Sequence, residues 1–278
     1  MTRSESTARA FKAILAVLAA ALIATAFAFA ARAWATEDGQ AAAQAEGAGS
    51  EDAETGGVGG SWHDWNPDPG DTVNISDANW NTTITFSKPG TYRLTGSSTN
   101  VCVVVDPGQG EEITLMLADG LRIDPGISAN VGVRASAIEI VERDEATVRL
   151  VSEAGASSYF GSYLLAPAIR KSGTQTQLVF ETANSSNPGT ITARSSNTSL
   201  SAGIGTVPYA ALSNPAPAGN MVFSSGKVVA EGGLGGAGIG GGNNCGAKLI
   251  SITGGEVIAT GGGGADEGLY RGAGRVDG

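Results

Sequence analysis

The stretch from Gly226 to Gly278 carries 20 of the chain's 42 glycines, set around short β-branched runs. Those runs read Gly226-Lys-Val-Val-Ala230, Gly236-Ala-Gly-Ile-Gly-Gly-Gly242 and Gly255-Glu-Val-Ile-Ala259. Glycine at this density cannot support helices, because each interior glycine costs about 0.5–1 kcal/mol relative to alanine. Placed between strand-forming triplets at recurring offsets, it specifies a chain that turns back on itself every few residues. That is the pattern of a stacked β-coil, not of a mixed α/β core.

The same organisation runs upstream. Ile84-Thr-Phe86 alternates, Lys88-Pro-Gly90 turns, and Tyr92-Arg-Leu94 alternates again. Val101–Val105 and Ile113–Leu117 are apolar runs, followed by Leu121-Arg-Ile123. Asp106-Pro-Gly108 and Asp124-Pro-Gly126 read as one turn device used twice, proline pre-setting one turn angle and glycine relieving the next. Ile138-Glu-Ile140 and Val148-Arg-Leu150 read as strands, and Ser152–Gly173 as a longer excursion. Three further units follow, each a strand, a glycine turn, a strand and a Gly-rich return loop: Leu178–Ala193, Met221–Ala230 and Ile250–Ala259. The Ala-Gly-Ile-Gly element occurs at Ala202–Gly205 and again at Ala237–Gly240, 35 residues later. One unit cannot cover its own apolar face, but stacked units bury Ile, Val, Leu and Ala in continuous ladders. The expected fold is all-β, a right-handed parallel β-helix, since parallel crossovers are almost always right-handed. An up-and-down barrel or sandwich is the rival, weakened by the lack of two-residue Asn-Gly or Asp-Gly hairpin turns between strands.

Residues 1–35 read as a signal peptide. Arg3, Arg9 and Lys12 form a positive start, Ala13–Ala31 is apolar except for Thr25, and Ala33-Trp34-Ala35 supplies the cleavage pattern, with Thr36 as the mature N-terminus. An uncleaved membrane anchor is the alternative, and either reading exports the rest. Residues 36–60 are acidic, rich in Ala and Gly and free of large apolar side chains, a composition expected of a disordered linker. A Trp-rich cap segment over 61–80 leads into repeats spanning 81–278. Removing the leader deletes four positive charges and one negative, so the formal charge moves from −10 to −13. An acidic chain without Lys/Arg clusters argues against nucleic acid, and against a membrane beyond the leader, as partners. Cys102 reads as a small buried hydrophobe and Cys245 as a loop residue; their spacing does not demand a disulfide, and none is expected.

Three segments carry a resemblance: Ile84-Thr-Phe-Ser-Lys-Pro-Gly-Thr-Tyr-Arg-Leu-Thr-Gly96, Ala237-Gly-Ile-Gly-Gly-Gly242, and Gly254-Gly-Glu-Val-Ile-Ala-Thr-Gly-Gly262. Over roughly residues 80 to 262 the chain resembles the carbohydrate-binding-domain-containing cell-surface proteins of Gram-positive bacteria, with their stacked Gly-rich repeats. The resemblance implies a pectate-lyase-like β-helix, a secreted or cell-surface location, and a glycan or host-surface polymer as partner. After Gly264 the sequence departs from the repeat, and a C-terminally truncated stack is expected.

Chemistry is sparse. The only histidine, His63, has no companions for a catalytic constellation or a metal site, and reads as an exposed residue before the fold. Trp62, Trp65 and Trp80 are the candidate carbohydrate-binding residues, aromatic faces for sugar rings with Asp64, Asn66 and Asp71 as acceptors. Capping of the open apolar end is the competing role, and it ranks first. Gly236–Gly241 fits a dinucleotide glycine pattern, but no helix-forming segment follows, so that reading is rejected. No cofactor is expected; Ca²⁺ held by scattered Asp and Glu stays open. A hydrolase or lyase would need paired carboxyls, for which Glu139, Glu142, Asp144, Glu145, Glu181 and Glu231 qualify by type alone, and Glu139–Glu145 reads better as a solvated charge cluster. A non-catalytic carbohydrate-binding or adhesion module is therefore the expected function, with a β-helical polysaccharide lyase or hydrolase, or a plain stalk, as alternatives.

Overall fold

The computed structural model describes residues 63–78, 82–126, 136–208 and 216–263. The signal peptide, the acidic linker, Trp62, Trp80 and the segment following Gly263 lie outside them. Among the described residues, alternating and β-branched sequence builds twenty strands, taken up in groups of three. The first group is β1 (His63–Trp65) and β2 (Thr72–Asn74), with a 3-10 turn at Ile75–Asp77 in the third place. The second is β3 (Thr82–Phe86), β4 (Gly90–Thr95) and β5 (Ser97–Ser98); the third is β6 (Val101–Val105), β7 (Glu112–Leu117) and β8 (Arg122–Ile123). Then come β9 (Ile138–Ile140), β10 (Thr147–Ser152) and β11 (Ser157–Phe160), followed by β12 (Ile169–Lys171), β13 (Gln177–Thr182) and β14 (Thr190–Arg194). The last two groups are β15 (Ile204–Gly205), β16 (Ala218–Phe223), β17 (Lys227–Glu231), and β18 (Ile239–Gly240), β19 (Ala247–Ile252), β20 (Glu256–Thr260).

The first strand of each group joins one sheet, the second another and the third a last one, giving parallel sheets of seven, seven and six strands. The chain thus visits the three sheets in the same cyclic order on every pass. Paired strands hold one register along their length, and a one-residue shift would turn each inward side chain outward. On the first sheet, register aligns Trp65, Ile84, Val103, Ile138, Ile169, Ile204 and Ile239. On the second, it aligns Tyr92, Leu115, Leu150, Phe180, Phe223 and Ile252. The third carries Ile123, Phe160, Ala193, Ala230 and Ala259. A single hydrophobic cluster draws on all three rows, each large aliphatic contributing about 1.5–3 kcal/mol on burial. Where the third sheet thins to alanine, the second thickens, with the Phe180 and Phe223 rings stacked at 4.7 Å.

Three sequence expectations need correction. The excursion between Ser152 and Gly173 contains β11 and β12, two short strands whose Ser/Tyr and Arg/Lys content hid their alternation. The Ala-Gly-Ile-Gly elements are not return loops: β15 and β18 lie within them, each putting one isoleucine into the first sheet's inner row. The two Asp-Pro-Gly turns are not equivalent, since Asp106 follows a first-sheet strand and Asp124 a third-sheet strand.

At the first described rung, side chains pack against the core and meet the edge of the third sheet. Trp65 is half-buried against the core, above Ile84, the next residue of its inner row. The third sheet begins at β5, and there the Ser76 hydroxyl accepts from the Ser97 N–H at 2.9 Å and donates to the Ser97 carbonyl at 3.2 Å. Asn74 Oδ1 fixes that turn by accepting from the Ser76 N–H at 3.2 Å. The neighbouring Gly96, at φ +94°, leaves room for it, because a Cβ there would fall 2.2 Å from Asn74 Oδ1.

A candidate ligand groove on the third sheet

Outward positions of the third sheet alternate with the buried row. Register sets Arg122 of β8 beside Tyr159 of β11, and the Arg122 guanidinium lies 4.0 Å from the Tyr159 ring centroid. Cation–π contact of this kind is worth about 0.5–1 kcal/mol where solvent reaches it. Arg122 Nη2 also donates to Asp124 Oδ2 at 2.5 Å. Asp124 fits because residue 161 is glycine; a Cβ there would meet Asp124 Oδ1 at 2.0 Å. One rung further, Arg194 of β14 grips Glu231 of β17, the residue opposite it in register, through two contacts of 2.7 Å.

Between these groups runs a groove of about 210 Å³, lined by Asp124, Tyr159, Ser162, Arg194 and Ser195–Asn197. Its buried hydroxyls are committed: Ser162 Oγ donates to Ser195 Oγ at 3.3 Å and accepts from the Ser196 N–H at 3.2 Å, and Ser195 Oγ donates to the Ala166 carbonyl at 3.0 Å. Asn197 is exposed, and its amide has no hydrogen-bond partner among the described residues. Burial, above all, holds the Tyr159 phenol above its ordinary value; Asp124 adds to this while Arg122 and Arg194 oppose it. The ring therefore stays neutral at physiological pH and offers apolar surface. Such a groove can bind and orient a polar ligand; it contains one carboxylate among its lining residues.

The candidate carboxylates from the sequence are not gathered together. Glu139 pairs with Arg170 on the first sheet at 3.1 Å, Glu181 with Arg149 on the second at 2.9 Å, and Glu231 with Arg194 on the third. Residues 139–145 do not form one solvated cluster. Asp144 and Glu145 make an exposed turn, whereas Glu142 reaches in to meet Lys171. Lys171 continues the inner row Phe86, Val105, Ile140, and its side chain is fully buried. Its ammonium also donates to the Gly173 carbonyl at 3.0 Å, while Glu142 Oε2 accepts from the Gln175 and Thr176 N–H groups at 2.9 and 3.2 Å. Desolvation dominates and pulls the Lys171 pKa below its ordinary value, with Glu142 acting in the opposite sense.

Of the three candidate tryptophans, Trp65 stands over the first inner row, and Trp62 and Trp80 lie outside the described residues. Asp64, Asn66 and Asp71 are exposed, and Asp71 accepts from the Asp68 N–H at 2.9 Å. His63 belongs to β1. Cys102 is buried and Cys245 half-buried. The glycine pattern at Gly236–Gly241 runs into β18, not a helix; a Cβ on Gly236 would sit 1.9 Å from the Ser201 carbonyl. Among the described residues, no three His, Cys, Asp or Glu side chains converge on a common point, and no helix is long and apolar enough to cross a membrane. Arg122, Tyr159 and Arg194 escaped the sequence reading because each sits in a different rung. Their recurrence about one coil apart was the available signal.

Comparison with family models, with curated proteins and with solved structures finds no match to this chain.

Proposed function

We propose that this chain is an exported, non-catalytic β-helical protein that binds glycans at a cell surface or in the surrounding medium. The observation that carries the reading is the third-sheet groove, where three successive rungs contribute an aromatic ring, a carboxylate, a guanidinium and an unengaged amide to one surface. Those are the group types that contact sugar hydroxyls and ring faces. The cyclic passage through three parallel sheets supports a closed coil, and the strong preference of parallel crossovers supports a right-handed one. The leader-like N-terminus, the acidic charge and the resemblance to Gram-positive surface proteins support export and a polymer partner. Contacts repeated along the rungs would add up through avidity, each of them weak.

The test is glycan-array binding by the full chain, run beside a product assay on polyuronate and neutral polysaccharides. Saturable binding without turnover is expected. Release of reducing ends or unsaturated products would overturn the reading in favour of an enzyme.

A further inference from the structure

We infer that the third-sheet groove selects neutral sugars bearing adjacent hydroxyls and discriminates against uronates and other anionic glycans. The inference rests on the glycan-binding reading above and specifies its site and ligand class. Arg194 lines the groove and Arg122 lies over the ring of its Tyr159, which at first sight suits an anion, yet each guanidinium is already paired, Arg122 with Asp124 and Arg194 with Glu231. An incoming carboxylate would have to displace one of these partners, beside two fixed negative charges, in a chain of formal charge −10. A neutral diol meets no such opposition. One hydroxyl can donate to Asp124 and its neighbour accept from a guanidinium N–H, so that the existing ion pairs are bridged, not broken. Tyr159 supplies the apolar wall that a pyranose C–H face requires, and Asn197 offers a free donor and acceptor at the rim. Three rungs at the usual strand spacing span roughly 10 Å, a length suited to a short stretch of a linear polymer lying across the strands.

Affinity of the full chain for soluble neutral β-glucan and galactomannan, and for polygalacturonate, is measured by calorimetry at low and high salt. At least one neutral polymer is expected to bind with little salt dependence, and polygalacturonate to bind far more weakly. Tyr159→Ala and Asp124→Asn are each expected to weaken binding about tenfold or more, as loss of a hydrogen bond to a charged group or of an aromatic wall does. Asn197→Ala, at an exposed turn, is expected to weaken it by less, with no change in melting temperature, and keeps the test valid should Tyr159→Ala fail to fold. Trp65→Ala is expected to lower the melting temperature and leave affinity unchanged. Exclusive, salt-sensitive binding of polygalacturonate would overturn the ligand class while leaving glycan binding intact. Loss of binding in Trp65→Ala with Tyr159→Ala and Asn197→Ala unaffected would overturn the groove as the site. Failure of every polymer to bind would remove both this inference and the proposed function.

Discussion

The early and late rungs of the first sheet solve one problem in opposite ways. Along its outward row, register aligns Val104, Glu139, Arg170, Gly205 and Gly240. The early rungs hold side chains there, and Glu139 and Arg170 tie neighbouring rungs with an ion pair at 3.1 Å. The late rungs hold nothing, and backbone moves into the vacated volume: a Cβ on Gly205 would lie 1.8 Å from the Gly240 carbonyl. Gly205 and Gly240 also have φ of +138° and +126°, which side-chain-bearing residues rarely adopt. The glycine density of the late coils is thus a packing requirement. It marks close backbone approach in ordered strands.

Breaking the late solution carries the largest expected effect. Gly205→Val combines a forbidden φ with a clash against backbone and should cost about 3 kcal/mol or more in urea unfolding. Glu139→Ala, in the same row, should cost only about 1 kcal/mol, because it removes one ion pair near the surface. Equal losses from the two variants would end the comparison drawn above.

A second prediction concerns the early coils alone. Glu142→Ala leaves the Lys171 ammonium inside an apolar row with only a carbonyl for company, and should cost about 3 kcal/mol. The double change Lys171→Met with Glu142→Gln should recover most of that loss, because the row it restores is Phe86, Val105, Ile140 and methionine. Thermal unfolding of the three variants decides the matter; a double variant no better than Glu142→Ala would show that the charge pair itself holds the turn.

These contrasts also explain what was readable from sequence. Ile84-Thr-Phe86, Tyr92-Arg-Leu94, Val101–Val105 and the three Gly-x-Val/Ile-x-Ala strands announce themselves by alternation or by apolar runs, and all proved to be strands in parallel register. Strands of two residues, such as Ile204–Gly205 and Ile239–Gly240, have no period to detect, so the first strand of each of the last two groups was invisible. Lys171 was illegible for another reason. A lysine at an inward position contradicts the pattern that defines the row, and only its distant partner Glu142 makes the placement tolerable. The groove was hidden because Arg122, Tyr159 and Arg194 are far apart in sequence and meet only through register.

Ion pairs across rungs make the early half sensitive to acid. Arg93 and Glu153 clamp across β7, with Nε to Oε1 at 2.5 Å and Nη2 to Oε2 at 2.9 Å. Hydrogen bonding from Arg93 is the main reason the Glu153 pKa is lowered. Glu153 therefore contributes stability that is fully present above the ordinary glutamate value of 4.5 and is lost as pH falls through the depressed folded value. Solvent exposure keeps the contribution below about 1 kcal/mol. Arg93→Met should lower stability near neutrality by less than about 1 kcal/mol, flatten the profile in that acidic window and converge with the parent at low pH; equal stability at neutrality and an unaltered acid midpoint would refute the clamp.

The smallest effect runs in the stabilising direction. Leu249 adopts φ +56° with 67% of its surface exposed, and Asn220 takes φ +53° one rung earlier, between the same pair of registered neighbours. Leu249→Asn should raise stability by about 0.5–1 kcal/mol, since asparagine tolerates left-handed backbone and no apolar contact of size is lost. A fall in melting temperature would mean that the Leu249 side chain contributes more by packing than its backbone strain costs.

The hydroxyl of Ser76 makes the two edges of the third sheet unequal. By occupying both the N–H and the carbonyl of Ser97, it leaves the first strand of that sheet with nothing to offer an incoming strand at this residue. A further strand could pair with that edge at Ser97 only by first displacing the Ser76 hydroxyl.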